Sequence, residues 1–382
     1  MMKTMTSTAL ASLVALGALS GAAQAEIRLG ASVSASGPAA FLGDPEAKTI
    51  EMMIEEINAA GGVNGEEIAL TLYDDGGDPN KARTFATRLV EDDEVVAIIG
   101  GSTTGTTMSI LDVAEDEGIP FISLAGAISI VDPVREYVFK TPHTDRMACQ
   151  KIFTDMQAQG IASIGMISGT DGFGASMQAQ CKEVAGEFGI EILADETYGP
   201  QDADMTPQLT RIRDTDGVQA VLNPGFGQGP AIVTRNVAQL GFEIPLYQSH
   251  GVASNAFVEL AGLDAAEGVR LPGTALLIGD LLAEDDPQYK VVNDYIAAYQ
   301  AKYDQEPSTF AGYAHDAVAL MVDAITRAGS TDPAAIRDAI EATSGLVGTT
   351  GIYTFSPEDH LGLDLSAFRM LEITGEGWKQ LD

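Results

Sequence analysis

A cluster of hydroxyl side chains stands where a buried strand gives way to a helix. Residues 95–99 are an apolar run too short for an ordinary helix, and the run reads as an inner strand of a parallel sheet. It stops at Gly100-Gly101, and Ser102, Thr103 and Thr104 then precede a segment, 107–114, with helical apolar spacing. Each of these hydroxyls is a candidate N-cap. Free amides at a helix start, beside neutral hydroxyl donors, suit an anionic group that is held and later released. No lysine lies in the loop and the spacing is not that of a P-loop, which argues against a nucleotide phosphate. A capped helix with no ligand is the plain alternative for this loop taken by itself.

Residue patterns that do covalent chemistry are missing. There is no nucleophile elbow, no His-Glu-x-x-His and no Cys-x-x-Cys. The four histidines, His143, His250, His315 and His360, are scattered, and His360 reads as a turn residue with a hydrogen-bonded ring. The glycine-rich stretch 225–229 comes late in the chain and resembles a dinucleotide loop only loosely. Asp74, Asp75 and Asp78 fail the calcium-loop spacing, and Asp78 is explained as a helix cap before Pro79. The chain is therefore read as a non-enzyme with no cofactor and no metal.

The elements that position these residues alternate strand and helix along the chain, the pattern of α/β layers over parallel sheets. Strands are expected at 26–32, 67–73, 95–99 and 119–124, with a helix starting at Asp44-Pro45 and ended by Gly61-Gly62. Residues 137–142 read as a crossing segment, after which a second strand–helix series begins, with strands at 161–168, 190–195, 220–224 and 246–251. The fold class expected is thus two doubly wound parallel-sheet units. Ligands in such sheets lie beyond the carboxyl ends of the strands. The loops after Ile99, Leu124, Ser168, Pro224 and Ser249 all fall there. Cys149 and Cys181 fall in two helices that flank one strand, leaving both a disulfide and two buried thiols open.

Residues 1–25 read as an export signal, with Lys3 as the lone charge, an apolar core over 9–19 and cleavage after Ala25. An exported, soluble protein is expected, and the formal charge of −34 argues against nucleic acid and anionic membrane partners.

The order of several motifs resembles the leucine/isoleucine/valine-type periplasmic binding proteins, the solute receptors of ABC importers. These motifs are the leader, Ser36-Gly37-Pro38, Tyr73-Asp74-Asp75 with Asp78-Pro79, Ile99-Gly100, and Glu115 through Pro120. The resemblance spans the mature chain and implies two lobes, 26–143 plus 275–354 and 144–274 plus 355–382. Three crossings, near 141–145, 272–277 and 352–355, would join them around a ligand cleft. It implies a periplasmic monomer that hands a small molecule to a membrane permease. Carried over by position, Thr104 with Thr103 would hold a carboxylate, and Ala125, Gly126 and Ala127 would offer backbone donors. Phe173 and Phe226 would form an aromatic wall, and Leu42 would cover the ligand. His250 departs from the pattern, because the amino-acid binders place an acid there to pair the ligand ammonium. A histidine supplies no such charge, so the expected ligand is an apolar or aromatic carboxylate without a free amine. A branched-chain amino acid receptor proper, a ligand-sensing module and a periplasmic hydrolase are the competing readings.

Overall fold

The computed structural model describes residues 26–381, so the leader expected over 1–25 and its cleavage site lie outside the described residues. The first sheet contains β1 (Glu26–Val33), β2 (Glu67–Asp74), β3 (Ala97–Gly100), β4 (Phe121–Ser123) and β5 (Val138–Lys140), all parallel, in the order β2-β1-β3-β4-β5. Helices α1 (Ala40–Ala59), α2 (Pro79–Glu91) and α3 (Thr104–Glu117) connect the first four strands. Every residue of β3, β4 and β5 is buried, as expected for strands covered on both faces.

Two expectations fail here. Residues 138–140 form the fifth strand of this sheet, so the crossing follows them instead of containing them. Helix α1 starts four residues before Asp44, with Pro45 inside it. The early turn is set by close packing, since a Cβ on Gly43 would lie 2.2 Å from the Ser34 backbone. Asp44 instead pairs with Lys48 one turn on.

The chain then crosses and builds a second sheet. Its strands β6 (Ser163–Gly169), β7 (Glu191–Tyr198), β8 (Ala220–Asn223), β9 (Leu246–Gln248) and β10 (Arg270–Gly273) are parallel. They alternate with α4 (Asp145–Ala158), α5 (Gly172–Val184), α6 (Thr206–Arg213), α7 (Gln228–Gln239), α8 (Asn255–Ala261) and α9 (Leu263–Ala266), with α4 leading into β6. Cys149 on α4 and Cys181 on α5 form a disulfide, which resolves the open question about these residues. The chain returns through α10 (Tyr289–Tyr303), α11 (Thr309–Ala328) and α12 (Pro333–Glu341). The apolar face of α11 buries along α1 in the core that also holds β1 and β3. A two-stranded ribbon, β11 (Ser344–Val347) and β12 (Ile352–Thr354), precedes the antiparallel strands β13 (Arg369–Thr374) and β14 (Gly377–Gln380) at the edge of the second sheet.

The third crossing lies later than the expected 352–355. His360 still stacks on Phe139 of β5 with centroids 4.1 Å apart, Phe355 meets the same ring edge-on at 5.9 Å, and the Lys140 amide donates to the His360 carbonyl. The His360 ring is hydrogen bonded, Nδ1 to the Val138 carbonyl at 2.9 Å. The second sheet is regained only at Arg369.

Lys140 ends β5 at the first crossing and is fully buried, its ammonium donating to the carbonyls of Ala127 (3.2 Å) and His143 (3.4 Å). Loss of hydration brings its pKa down to about 7, opposed by the nearby Asp145 carboxylate. The unfolded chain keeps this proton to about pH 10, whereas the folded chain releases it above about 7. The unfolded state therefore binds more protons in that window, and this residue makes stability rise with pH. In urea titrations between pH 7 and 9, wild type should gain stability relative to Lys140→Met by up to ~1.4 kcal/mol per pH unit. Parallel curves for the two proteins would contradict this assignment.

Candidate functional site

Both sheets reverse their winding direction beside a first strand, between β1 and β3 and between β6 and β8. Loops on either side of such a point separate at the strand ends and leave a crevice. The two crevices face each other. Between them is a cavity of about 40 Å³ lined from the first unit by Leu42, Ser102, Thr103, Thr104, Leu124, Ala125, Gly126, Phe310 and Tyr313, and from the second by Phe173, Phe226, His250 and Gly251, with Pro142 of the first crossing. That is space for a few water molecules. A larger molecule would fit there only if the units parted about the crossings.

Helix α3 aims its N-terminus here because Gly101 turns the chain with φ +68°, where a Cβ would lie 2.3 Å from Thr107 Oγ1. Thr103 is the N-cap: its hydroxyl accepts the Thr106 amide at 3.1 Å and Thr106 reciprocates. The Thr103 oxygen thus accepts within the helix cap while the residue also lines the cavity. Thr104 Oγ1 is different, being buried and without a hydrogen-bond partner among the described residues.

Phe173 and Phe226 meet edge to face with centroids 6.1 Å apart, and Phe41 faces Phe226 across the cleft at 6.0 Å. Asp171 caps α5 and fixes Phe173 in its first turn. His250 is wedged between Phe173 and Phe368, each 5.3 Å away and edge-on. Its Nδ1 has no partner among the described residues, and burial, with His143 and Lys140 nearby, holds the imidazole well below its ordinary pKa. The ring is therefore neutral at pH 7, with one donor and one acceptor nitrogen.

Of the residues expected from sequence, Leu42, Thr103, Thr104, Ala125, Gly126, Phe173, Phe226 and His250 share this cavity, and Ala127 does not. The Ala127 carbonyl faces the interior, where it accepts from Lys140. The amide of Ala125 is taken by Ser123 Oγ at 3.1 Å. Phe310 and Tyr313, which α11 brings to the α3 loop from over two hundred residues away, and the cavity-lining position of Ser102 were not expected from the sequence. Tyr313 Oη is the third buried polar atom of the cavity without a partner among the described residues. An aromatic in an apolar helix reads as core, so nothing in the sequence separates Tyr313 from its packed neighbours.

The profile of the family described as periplasmic binding protein matches residues 26–375. The chain belongs to that family. A leucine-, isoleucine-, valine-, threonine- and alanine-binding protein of Pseudomonas aeruginosa is 28% identical over 313 residues, covering 81% of this chain and 80% of its own length. An extracellular ligand-binding receptor from Rhodopseudomonas palustris HaA2 superposes with a TM-score of 0.87 at 29% identity, covering 94% of this chain and 100% of that one. A branched-chain amino acid transporter substrate-binding protein from Streptococcus pneumoniae, in complex with isoleucine, shares the fold with a TM-score of 0.81 at 24% identity, over 94% and 99% of the two chains. The type I periplasmic binding protein fold expected from the motifs is thus the fold found, and the relatives are solute-binding proteins. Among the described residues no helix is long and apolar enough to cross a membrane.

Gly126 touches the opposite unit. A Cβ there would lie 2.9 Å from the Phe173 ring and 3.1 Å from His250 Nε2. Gly126→Ala should hold the two units apart and weaken ligand binding about tenfold or more, as expected for overpacking worth about 1–3 kcal/mol. Isothermal titration of both proteins reads this directly, and equal affinities would show that the contact does not form in the ligand-bound protein.

Proposed function

We propose that this chain is the extracytoplasmic solute receptor of an ABC importer, closing two lobes on a small apolar or aromatic carboxylate that carries no free amine. The observation that carries the reading is the chemistry of the cavity lining. Among the described residues it presents hydroxyls, aromatic rings and a neutral His250, but no acidic side chain. A ligand ammonium buried there would have no anion to pair with, a cost of several kcal/mol. A carboxylate finds the N-terminus of α3 together with the hydroxyls of Thr104 and Ser102. Phe173, Phe226 and Leu42 would cover the apolar body, and His250 Nδ1 and Tyr313 Oη would meet polar atoms of the ligand. The two moving bodies would be 26–143 with 275 to about 361–368, and 144–274 with the remainder of the chain. The contacts of Phe355 and His360 with Phe139 and the return to the second sheet at Arg369 support that later third boundary. Closure would create the surface that a membrane permease recognises, in the periplasm and as a monomer.

Several relatives bear names that specify leucine, isoleucine and valine, so a branched-chain amino acid is the second reading, favoured by those names. The test of the carboxylate grip is Thr104→Val, titrated calorimetrically with 3-phenylpropanoate and 4-methylpentanoate. Loss of one donor to a buried anion should weaken both by about 1–3 kcal/mol. An unchanged dissociation constant would remove Thr104 from the site.

A further inference from the structure

Behind the cavity wall lies a buried acid that no ligand would touch. Glu46 of α1 is wholly buried, and its Oε2 is hydrogen bonded to Ser102 Oγ, while Oε1 has no partner among the described residues. Ser102 Oγ also accepts the amide of Ser34 at 2.9 Å. The neighbouring buried acid, Asp75, is served very differently. It accepts from Ser34 Oγ at 2.7 Å, from the Gly77 amide at 2.9 Å and from Ser32 Oγ at 3.0 Å.

A hydroxyl has one proton and two lone pairs. The Ser34 amide occupies one lone pair of Ser102, so Glu46 decides what the oxygen offers to the cavity. If Glu46 were ionised, Ser102 would give it the only proton and turn a lone pair toward the ligand, repelling an anion. If Glu46 keeps its own proton, it donates to Ser102, and the Ser102 O–H is released to the cavity. Two carboxylates buried this close are not both ionised without a large cost. Three donors favour the charge on Asp75, and a single hydroxyl with an orphan oxygen disfavours it on Glu46. Burial is the larger influence on Glu46 and Asp75 adds to it, both holding the carboxyl well above its ordinary pKa. Of the other ionisable groups on elements packed around α1, Tyr313 of α11 has no partner among the described residues and is kept a neutral phenol by burial, while others are paired. His315 and Asp316 of α11 bond each other at 2.9 Å, Tyr295 of α10 bonds Thr49 at 2.7 Å, and Asp74 accepts the amides of Ser36 and Gly76.

We propose that Glu46 is a positioning residue: it keeps its proton, donates it to Ser102 Oγ, and so makes Ser102 a hydrogen-bond donor aimed at a ligand carboxylate. The inference rests on the carboxylate reading above. It also gives that site a second, independent source of selectivity, because a donor-only Ser102 offers an ammonium nothing to bind.

The test joins infrared spectroscopy with titration of 3-phenylpropanoate. Wild type at pH 7 should show the carbonyl stretch of a protonated carboxyl that is lost in Glu46→Gln. The amide N–H of that variant can still donate to Ser102, so its affinity should stay within about threefold of wild type. Ser102→Ala should lose about tenfold, the usual effect of one hydrogen bond to a charged group. As pH rises, wild-type affinity should fall only where the carboxyl band disappears, while Glu46→Gln stays flat. A missing band at pH 7, or a folded Glu46→Gln that loses more than about thirtyfold in affinity, overturns the proposal. A folded wild type that binds neither 3-phenylpropanoate nor 4-methylpentanoate overturns the carboxylate reading and the role of Ser102 with it, whatever the spectrum shows.

Discussion

A buried polar atom without a hydrogen bond costs about 1–3 kcal/mol, and one small cavity of this protein collects three of them, on Thr104, His250 and Tyr313. The fold is arranged so that they cannot satisfy one another. Thr104 is held at the start of α3 by the cap that Thr103 and Thr106 make, Tyr313 by the long packed face of α11, and His250 by two edge-on phenyl rings on the other lobe. In the proposed receptor, a ligand with matching polar atoms would recover this free energy only when the lobes meet. Binding and closure would then be one equilibrium, shifted by the differential affinity of the closed state.

Charge in this molecule is distributed against intuition. The chain carries a formal charge of −34, yet the cavity lining is neutral among the described residues. The surface field repels anions at long range and is screened within about 8–10 Å at ordinary salt. The proposed grip on a carboxylate would therefore have to come from short-range donors and the α3 dipole. Neutrality at the centre is maintained by burial. It deprives His250 of its proton and leaves one with Glu46, two opposite titrations with the same cause. Lys140 experiences that desolvation at the first crossing, where it ties the Ala127 loop to the His143 segment.

Much of this was legible in the sequence because strand, glycine and cap recur in a fixed order. The turn at Gly100-Gly101 and the loops at the strand ends follow from local rules, and the places of Phe173, Phe226 and His250 in the cavity follow from the family resemblance. What local rules miss is set by packing between distant segments. Pro45 argued for a helix start, but the close approach of Gly43 to Ser34 wound the chain earlier. Three residues of β5 looked like a connector because so short a strand is recognisable only by its pairing with β4. The hydroxyls of Ser102, Thr103 and Thr104 are interchangeable in sequence. Only their partners separate them: Glu46 for the first, Thr106 for the second and none among the described residues for the third.

The central claim is that a neutral histidine, standing where an acid would pair an ammonium, makes this receptor select against amines. The most direct measurement is the ratio of calorimetric dissociation constants for 4-methylpentanoate and leucine, two acids that share a carbon skeleton and differ only by the α-amino group. The account predicts that 4-methylpentanoate binds at least a hundredfold more tightly, the consequence of about 3 kcal/mol or more for an unpaired buried ammonium. Leucine binding as tightly as its amine-free counterpart, or more tightly, would contradict it and return the protein to the branched-chain amino acid receptors.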